Sequence, residues 1–369
     1  MAGRRYDYRG SPRSNGSQQL NKTIDTLPQT SRRADASYLD FVEGLRAYVL
    51  DDETFPAAAN QAIAASGLDE SNMTIDQIKQ TIGPLPATQM NNRLMRSQQE
   101  MKWRRITATL DAQHESLEAE LDEFANHHPQ GIELDPNFVQ PDYVNVHFHL
   151  QPDGYYKHPL AGLRYHYGTK VFFRGDNDKD QLHGKLVKHT PSPADGNVKR
   201  ILDLACSVGQ STTALKAKYP EAQVWGVDHS APMLKAAHRR AVLLESDVTF
   251  SQRLAEDTHF EDADFDLVFA FILFHELPQR IIEETVREAA RVLRPGGLFV
   301  VYDFCDSATM SPLEMYHRDF DARHNGEAYS QDFCDMDLGA LLSESGFGPI
   351  DMGMAGGYVK RWFASRAEE

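Results

Sequence analysis

From residue 198 onward the chain alternates short apolar runs with amphipathic ones, and few patterns restrict a fold so tightly. "VKRILDLA" reads as a buried strand, "GQSTTALKAKY" as a helix and "AQVWGVD" as a second strand. "SAPMLKAAHRRAVL", "VTFSQ" and "FDLVFAFIL" continue as helix, short strand and long buried strand. The amphipathic "PQRIIEETVREAARVL" stops at Arg294-Pro295-Gly296-Gly297, and "GLFVVYDF" is a strand again. Apolar strands alternating with helices need cover on both sheet faces. The pattern therefore predicts an α/β fold with a doubly wound, mostly parallel sheet. The closing "DLGALLSESGFGPIDMGMAGGYVKRWFAS" reads as a helix and two strands joined through a Gly-Gly turn.

Such sheets bind ligands beyond the carboxyl ends of their strands, where the strand order reverses. "ILDLACSVGQST", residues 201–212, leads into such a place. Ala205, Ser207 and Gly209 form an alternating series of small residues, but the third glycine of a G-x-G-x-x-G dinucleotide fingerprint is absent. Asp203, just before the loop, would repel a pyrophosphate and suits a ligand that carries a cation.

Together, "ILDLACSVGQST", "VWGVDHSAPMLKAA", "FEDADFDLVFAFILFHELP" and "RVLRPGGLFVVYDF" resemble, in order, the successive motifs of class I S-adenosylmethionine-dependent methyltransferases. The resemblance covers roughly residues 198–363 and departs from the family's G-C-G-x-G loop at Ala205 and Ser207. It implies S-adenosyl-L-methionine as cofactor, with Asp203, Ala205, Cys206, Ser207 and Gly209 around the methionyl part. Asp228 would take the ribose hydroxyls with His229 beside it, an N-cap for the next helix being the plainer reading of Asp228. Met233 would pack on adenine or serve as core. Ala255, Glu256 and Phe271 complete the expected cofactor set, although the family's Asp-Ala is replaced by Leu254-Ala255-Glu256-Asp257.

Transfer from an already activated sulfonium needs an acceptor held in line, and a base when the nucleophile is a hydroxyl. His275 in "FHELP" leads as catalytic candidate, with packing or helix capping as its plainer role. Glu276 and, by resemblance to plant-type O-methyltransferases, His324 follow. Tyr155, Tyr156, Tyr165 and Tyr302 are the candidate acceptor contacts.

The remaining chain carries no such resemblance. Residues 1–36, with Arg4, Arg5, Arg9, Arg13, Arg32 and Arg33 and few aliphatics, predict a disordered basic tail or a transit peptide. Residues 37–128 predict a helical accessory domain. Its longest helix, about Asn92 to Ala125, carries the stripe Trp103, Ile106, Leu110, Leu117, Leu121 and Phe124, which serves as core or as a homodimer seam. Residues 129–190 read as a Tyr/His-rich lid and connection. Alternation of Val144, Val146, Phe148 and Leu150 suggests a strand showing His147 and His149 on one face. Two imidazoles with His158 and His166 nearby fall short of a metal's usual ligand set, so no metal is expected. Residues 191–369 form the methyltransferase-like domain.

A formal charge of −16 argues against a nucleic-acid partner. No apolar run approaches the ~18–20 residues of a membrane span. Three cysteines without CxxC spacing suit a reduced, cytoplasmic protein. The expected function is methyl transfer to a small-molecule acceptor, at a hydroxyl or carboxyl oxygen. Carbon, nitrogen or sulfur acceptors, and a non-catalytic S-adenosylmethionine-binding protein, remain open.

Overall fold

The computed structural model describes residues 26–27, 32–175, 177, 180–357 and 359–368. Most of the tail, residues 1–25 and 28–31, lies outside them. Its described end is already ordered: helix α1 (Arg33–Asp51) begins inside the expected tail, and the Thr26 carbonyl accepts from Arg239 Nη1 at 2.8 Å.

The predicted alternation is present. Strands β2 (Arg200–Leu204), β3 (Gln223–Asp228), β4 (Thr249–Gln252), β5 (Phe265–Phe271) and β6 (Leu293–Phe304) run parallel. Between them lie α8 (Gln210–Lys218), α9 (Ala231–Leu243) and α10 (Gln279–Val292). The final strands β7 (Phe347–Gly356) and β8 (Val359–Arg366) join antiparallel. A two-residue strand missed in the sequence, β1 (Ile132–Glu133), extends the other edge beside β4. Among the described residues the order is β1-β4-β3-β2-β5-β6-β8-β7, so it reverses between β2 and β5. That is where the loops after these strands part and a crevice opens.

One sheet face is covered by α10, α12 (Ser330–Cys334) and α13 (Leu338–Glu344), the other by α7 (Gln181–His189), α8 and α9. The N-terminal helices α2 (Thr54–Ser66), α3 (Ile75–Ile82), α4 (Pro86–Asp111), α5 (His114–His127) and α6 (Ala161–Phe172) add a further layer with α1. Trp103, Ile106, Leu110, Leu117 and Leu121 are buried there with Val208, Met233 and Ala236 of the sheet domain. The stripe offered as a dimer seam is thus consumed within the chain. Burying each such aliphatic contributes about 1.5–3 kcal/mol, which fastens this layer to the cofactor-side loop and α9.

Three local expectations differ. The single long helix breaks after Asp111, because α5 turns onto α9 and forms the Lys235–Asp122 and Arg239–Glu120 ion pairs at 2.6 and 2.7 Å. The strand expected over residues 144–150 is two 3-10 turns, Asp142–Val144 and Phe148–Leu150. His149 and Leu150 take φ of 51° and 61°, so the two imidazoles do not share a face. Among the described residues no neighbouring strand is available there. Local turns and Trp103, whose indole donates to the His149 carbonyl at 2.5 Å, satisfy the backbone instead. Finally, the lid and connection contain helices α6 and α7, which pack on α9 and α8. No described helix is long and apolar enough to cross a membrane.

Candidate functional site

The loop after β2 turns sharply through left-handed residues, Ala205, Ser207 and Gly209 having φ of 50°, 52° and 73°. Backbone bonds hold it: Cys206 N–H donates to Val227 O at 2.9 Å and Ser207 N–H to Asp228 Oδ2 at 3.0 Å. Ala205, Cys206 and Ser207 line the crevice. Gly209 and Asp203 do not. A Cβ on Gly209 would stand 2.7 Å from the Phe250 ring, so that glycine serves close packing. Asp203 Oδ2 accepts from Ser211 and Thr212 hydroxyls at 2.7 and 2.6 Å and fixes the start of α8; burial pushes its carboxyl up to about 7. Expected against the methionyl group, Asp203 instead supports the loop from behind.

Asp228 and His229, at the end of β3, lie on the wall. The helix cap is Ser230, whose hydroxyl accepts from Met233 N–H at 3.2 Å. Each Asp228 oxygen has a single backbone donor, Ser230 N–H on Oδ1 and Ser207 N–H on Oδ2, and keeps further acceptor capacity toward the crevice. Met233 is buried in the N-terminal core and also lies on the wall. Ala255, Glu256 and Phe271 close the opposite side. Glu256 Oε1 accepts from Tyr143 at 2.5 Å, while Oε2 is buried without a partner among the described residues. Burial raises this carboxyl. Asp257, the other candidate, is exposed and paired with His259. An orphaned acceptor suits an amino group of an enclosed ligand, so the residues present fit an adenosyl group.

From the crevice a chain of polar groups runs inward. Tyr155 OH donates to Glu276 Oε1 at 2.9 Å, and both residues line the crevice. His149 joins two acids, with Nε2 3.2 Å from Glu276 Oε1 and Nδ1 2.8 Å from Glu327 Oε1. Burial disfavours its charge, but Glu327 and Glu276 outweigh that and hold its pKa up to about 10. Burial would likewise raise Glu327, yet His149 and His275 hold it down at about 2. His275 lies deepest. It is fully buried, stacks on Phe304 at 4.0 Å, and its Nδ1 meets Asp303 Oδ1 at 2.7 Å. Asp303 also accepts from the Phe274 and Phe304 N–H groups. His275 Nε2 faces Glu327 Oε2 at 3.6 Å, and neither atom has a hydrogen-bond partner among the described residues. One donor atom each of His149, His275 and Glu276 lie within 4.8 Å of one another.

His275 therefore does not reach the crevice; Glu276 does. His324 is a plain correction: it is exposed at the end of α11 (Pro312–His324), its ring on Phe320 and its carbonyl accepting from Arg96. Glu327, three residues on, occupies the interior instead. Gly326, with φ of 76°, makes this approach: its Cα lies so close to the 147–149 turn that a Cβ would stand 2.3 Å from the His147 carbonyl. Tyr302 is also corrected. Strand side chains alternate, so Asp303 points to the site while Tyr302 points away and donates to Leu186 O at 3.3 Å. Tyr156 sits behind the wall against His229, whereas Tyr155 and Tyr165 line it.

A second cavity opens off the crevice and shares Tyr165, His183, Gln210, Phe271 and Ile272 with it. His149, Trp103, Phe172, Phe173 and Phe304 line its other side. Sequence reading left His149, Glu327 and Trp103 out of the site. His149 belongs to a segment whose folding was misjudged, and Trp103 looked like core.

Residues 201–297 match a family described as a methyltransferase domain. The chain is 31% identical over 152 residues to an uncharacterized methyltransferase of Synechocystis sp., covering 40% of this chain and 66% of that one. It is 39% identical over 106 residues to a demethylmenaquinone methyltransferase of Thermus thermophilus, covering 29% and 47% respectively. The chain thus spans about half to two thirds of these relatives. The solved apo structure of the S-adenosylmethionine-dependent methyltransferase SibL aligns over 91% of this chain and 97% of its own, at 16% identity and a TM-score of 0.46. With a reversed-order parallel sheet, the small-residue loop and a family match centred on both, the chain from β2 onward is a class I S-adenosylmethionine-dependent methyltransferase domain.

Proposed function

We propose that this chain is an enzyme that moves the methyl group of S-adenosylmethionine onto an oxygen of a small organic acceptor held in the aromatic cavity. The supporting observation is Glu276, which lines the crevice and is hydrogen-bonded to His149 on the cavity wall. The bound cofactor supplies an activated methyl on a sulfonium. Asp228 and Glu256 would hold its ribose hydroxyls and adenine amino group, and the backbone of Ala205 to Ser207 would face its amino-acid end. The aromatic walls exclude water and orient the acceptor. Glu276 receives the proton that an acceptor hydroxyl loses as its oxygen bonds to the methyl carbon and the sulfur–carbon bond breaks. His149, kept cationic by Glu327 and Glu276, holds the Glu276 carboxylate in place at the mouth of the cavity. Asp303 and His275 position Glu327 from behind.

The test is Glu276→Gln, assayed for S-adenosylhomocysteine production against a panel of phenols, hydroxy acids, thiols and amines. Loss of one proton acceptor should lower kcat by about 10²–10⁴-fold while S-adenosylhomocysteine affinity stays within a few fold. Unchanged kcat with an oxygen acceptor would sink the assignment.

A further inference from the structure

We propose that the acceptor is a small aromatic carboxylate whose carboxylate pairs with Lys102, an inference that rests on the methyl-transfer reading above. Lys102 lies on α4 at the cavity wall and is 1% exposed. Its ammonium nitrogen is 4.3 Å from the Trp103 ring centroid and 6.0 Å from that of Phe172. It makes no hydrogen bond or ion pair with another described residue. Other deeply buried cations of the chain are matched: Arg164 meets Asp111 and Asp153, and Arg240 meets Asp180. An ammonium removed from water without a counter-ion is costly, and aromatic faces repay only part of that.

The surroundings sharpen the choice of ligand. Among the described residues no aspartate or glutamate lies on the wall of this cavity, in a chain whose formal charge is −16. Its titratable residues are Lys102, Lys185 at the exposed rim, His149, His183 and the Tyr165 phenol. Arg46, from α1, adds a guanidinium 4.3 Å over the Phe172 ring. Burial, with Arg46 close by, pushes the Lys102 ammonium well below its ordinary pKa, and burial holds His183 neutral, down at about 3. A carboxylate entering beside Lys102 restores the charged lysine and is itself neutralised. A cationic acceptor would meet charges of its own sign. Trp103, Phe172, Phe173 and Phe271 offer flat faces for a planar ring. With the carboxylate serving as anchor, the oxygen left to receive the methyl is a ring hydroxyl.

The full chain is first titrated with S-adenosylhomocysteine, which tests the underlying reading by itself. Hydroxybenzoates and hydroxycinnamates, their methyl esters, and tyramine are then titrated by calorimetry and tryptophan fluorescence, with and without that nucleoside. An acid should bind about tenfold or more tighter than its ester, as a charge-assisted contact requires, and tyramine should not bind. In Lys102→Met the acid–ester ratio should fall to about unity, with S-adenosylhomocysteine affinity unchanged as the sign of an intact fold. Acids that bind no tighter than their esters, acids that fail to bind, or a preference that survives in Lys102→Met would each overturn the proposal. Failure of S-adenosylhomocysteine to bind would instead remove the methyl-transfer reading.

Discussion

Replacing Glu327 with Gln isolates the electrostatics of the buried chain with little change of shape. Glu327 is 5% exposed and accepts from His149 Nδ1 at 2.8 Å. Burial alone would raise its carboxyl, but the facing imidazoles hold it at about 2, against an ordinary value of 4.5. At about 1.4 kcal/mol per unit, that depression corresponds to about 3 kcal/mol of native-state stability near neutral pH. Because the folded pKa lies below the unfolded one, this contribution is present above pH ~4.5 and is lost as pH falls toward 2. Glu327→Gln can still accept from His149 but carries no charge, so the contribution disappears at every pH. Urea unfolding followed by circular dichroism should show the variant about 3 kcal/mol less stable at neutral pH, a size in keeping with the loss of one partner from a buried pair. The gap should narrow as pH drops below ~4.5, when the wild-type carboxylate is neutralised too. Equal midpoints near neutrality, or a gap that stays constant into acid, would refute the reasoning.

Two further perturbations probe the other walls. Glu256→Gln should weaken S-adenosylhomocysteine binding by about 10–100-fold, read by calorimetry, because a buried charged acceptor is lost. S-inosylhomocysteine, which lacks the adenine amino group, should lose little; equal losses would rule out the amino contact. Gly326→Ala forces a side chain into the left-handed region and against the His147 carbonyl. It should cost about 2–4 kcal/mol and lower Tm in scanning calorimetry. Gly184→Ala, a helical position with nothing within 4 Å, is the matched control and should be neutral or stabilising.

The methyltransferase half was legible for a concrete reason. Its strands are apolar on both faces and its helices amphipathic, so periodicity reports burial directly, and β2 to β6 appear where the pattern put them. Asp228, Met233 and Glu256 followed because strand ends and their next turns fall at the switch point whatever the side chains do elsewhere. The segment 143–150 misled for the converse reason. Its alternation mimics an edge strand, but pairing depends on a neighbour, and none of the described strands lies there. Tyr302 and Asp303, both expected at the cavity, are adjacent in sequence and opposite in space, so only one of them can face it.

What the sequence determined by itself was the sheet, its reversal point and the loop chemistry that follows from them, since these arise from local periodicity and short connections. What only the tertiary structure decided was which distant groups meet. His149, the adjacent His275 and Glu276, Asp303 and Glu327 come from four separate segments, and they pair across the interior only once the chain is folded. Lys102 shows the same limit from the other side. On a helical stripe beside Trp103 it looks like a solvated lysine, and only the packing of α4 against α6 places its ammonium in a cavity with no acid on its wall. Electrostatic energy depends on distance and desolvation across the whole fold, and neither quantity is written in the order of residues.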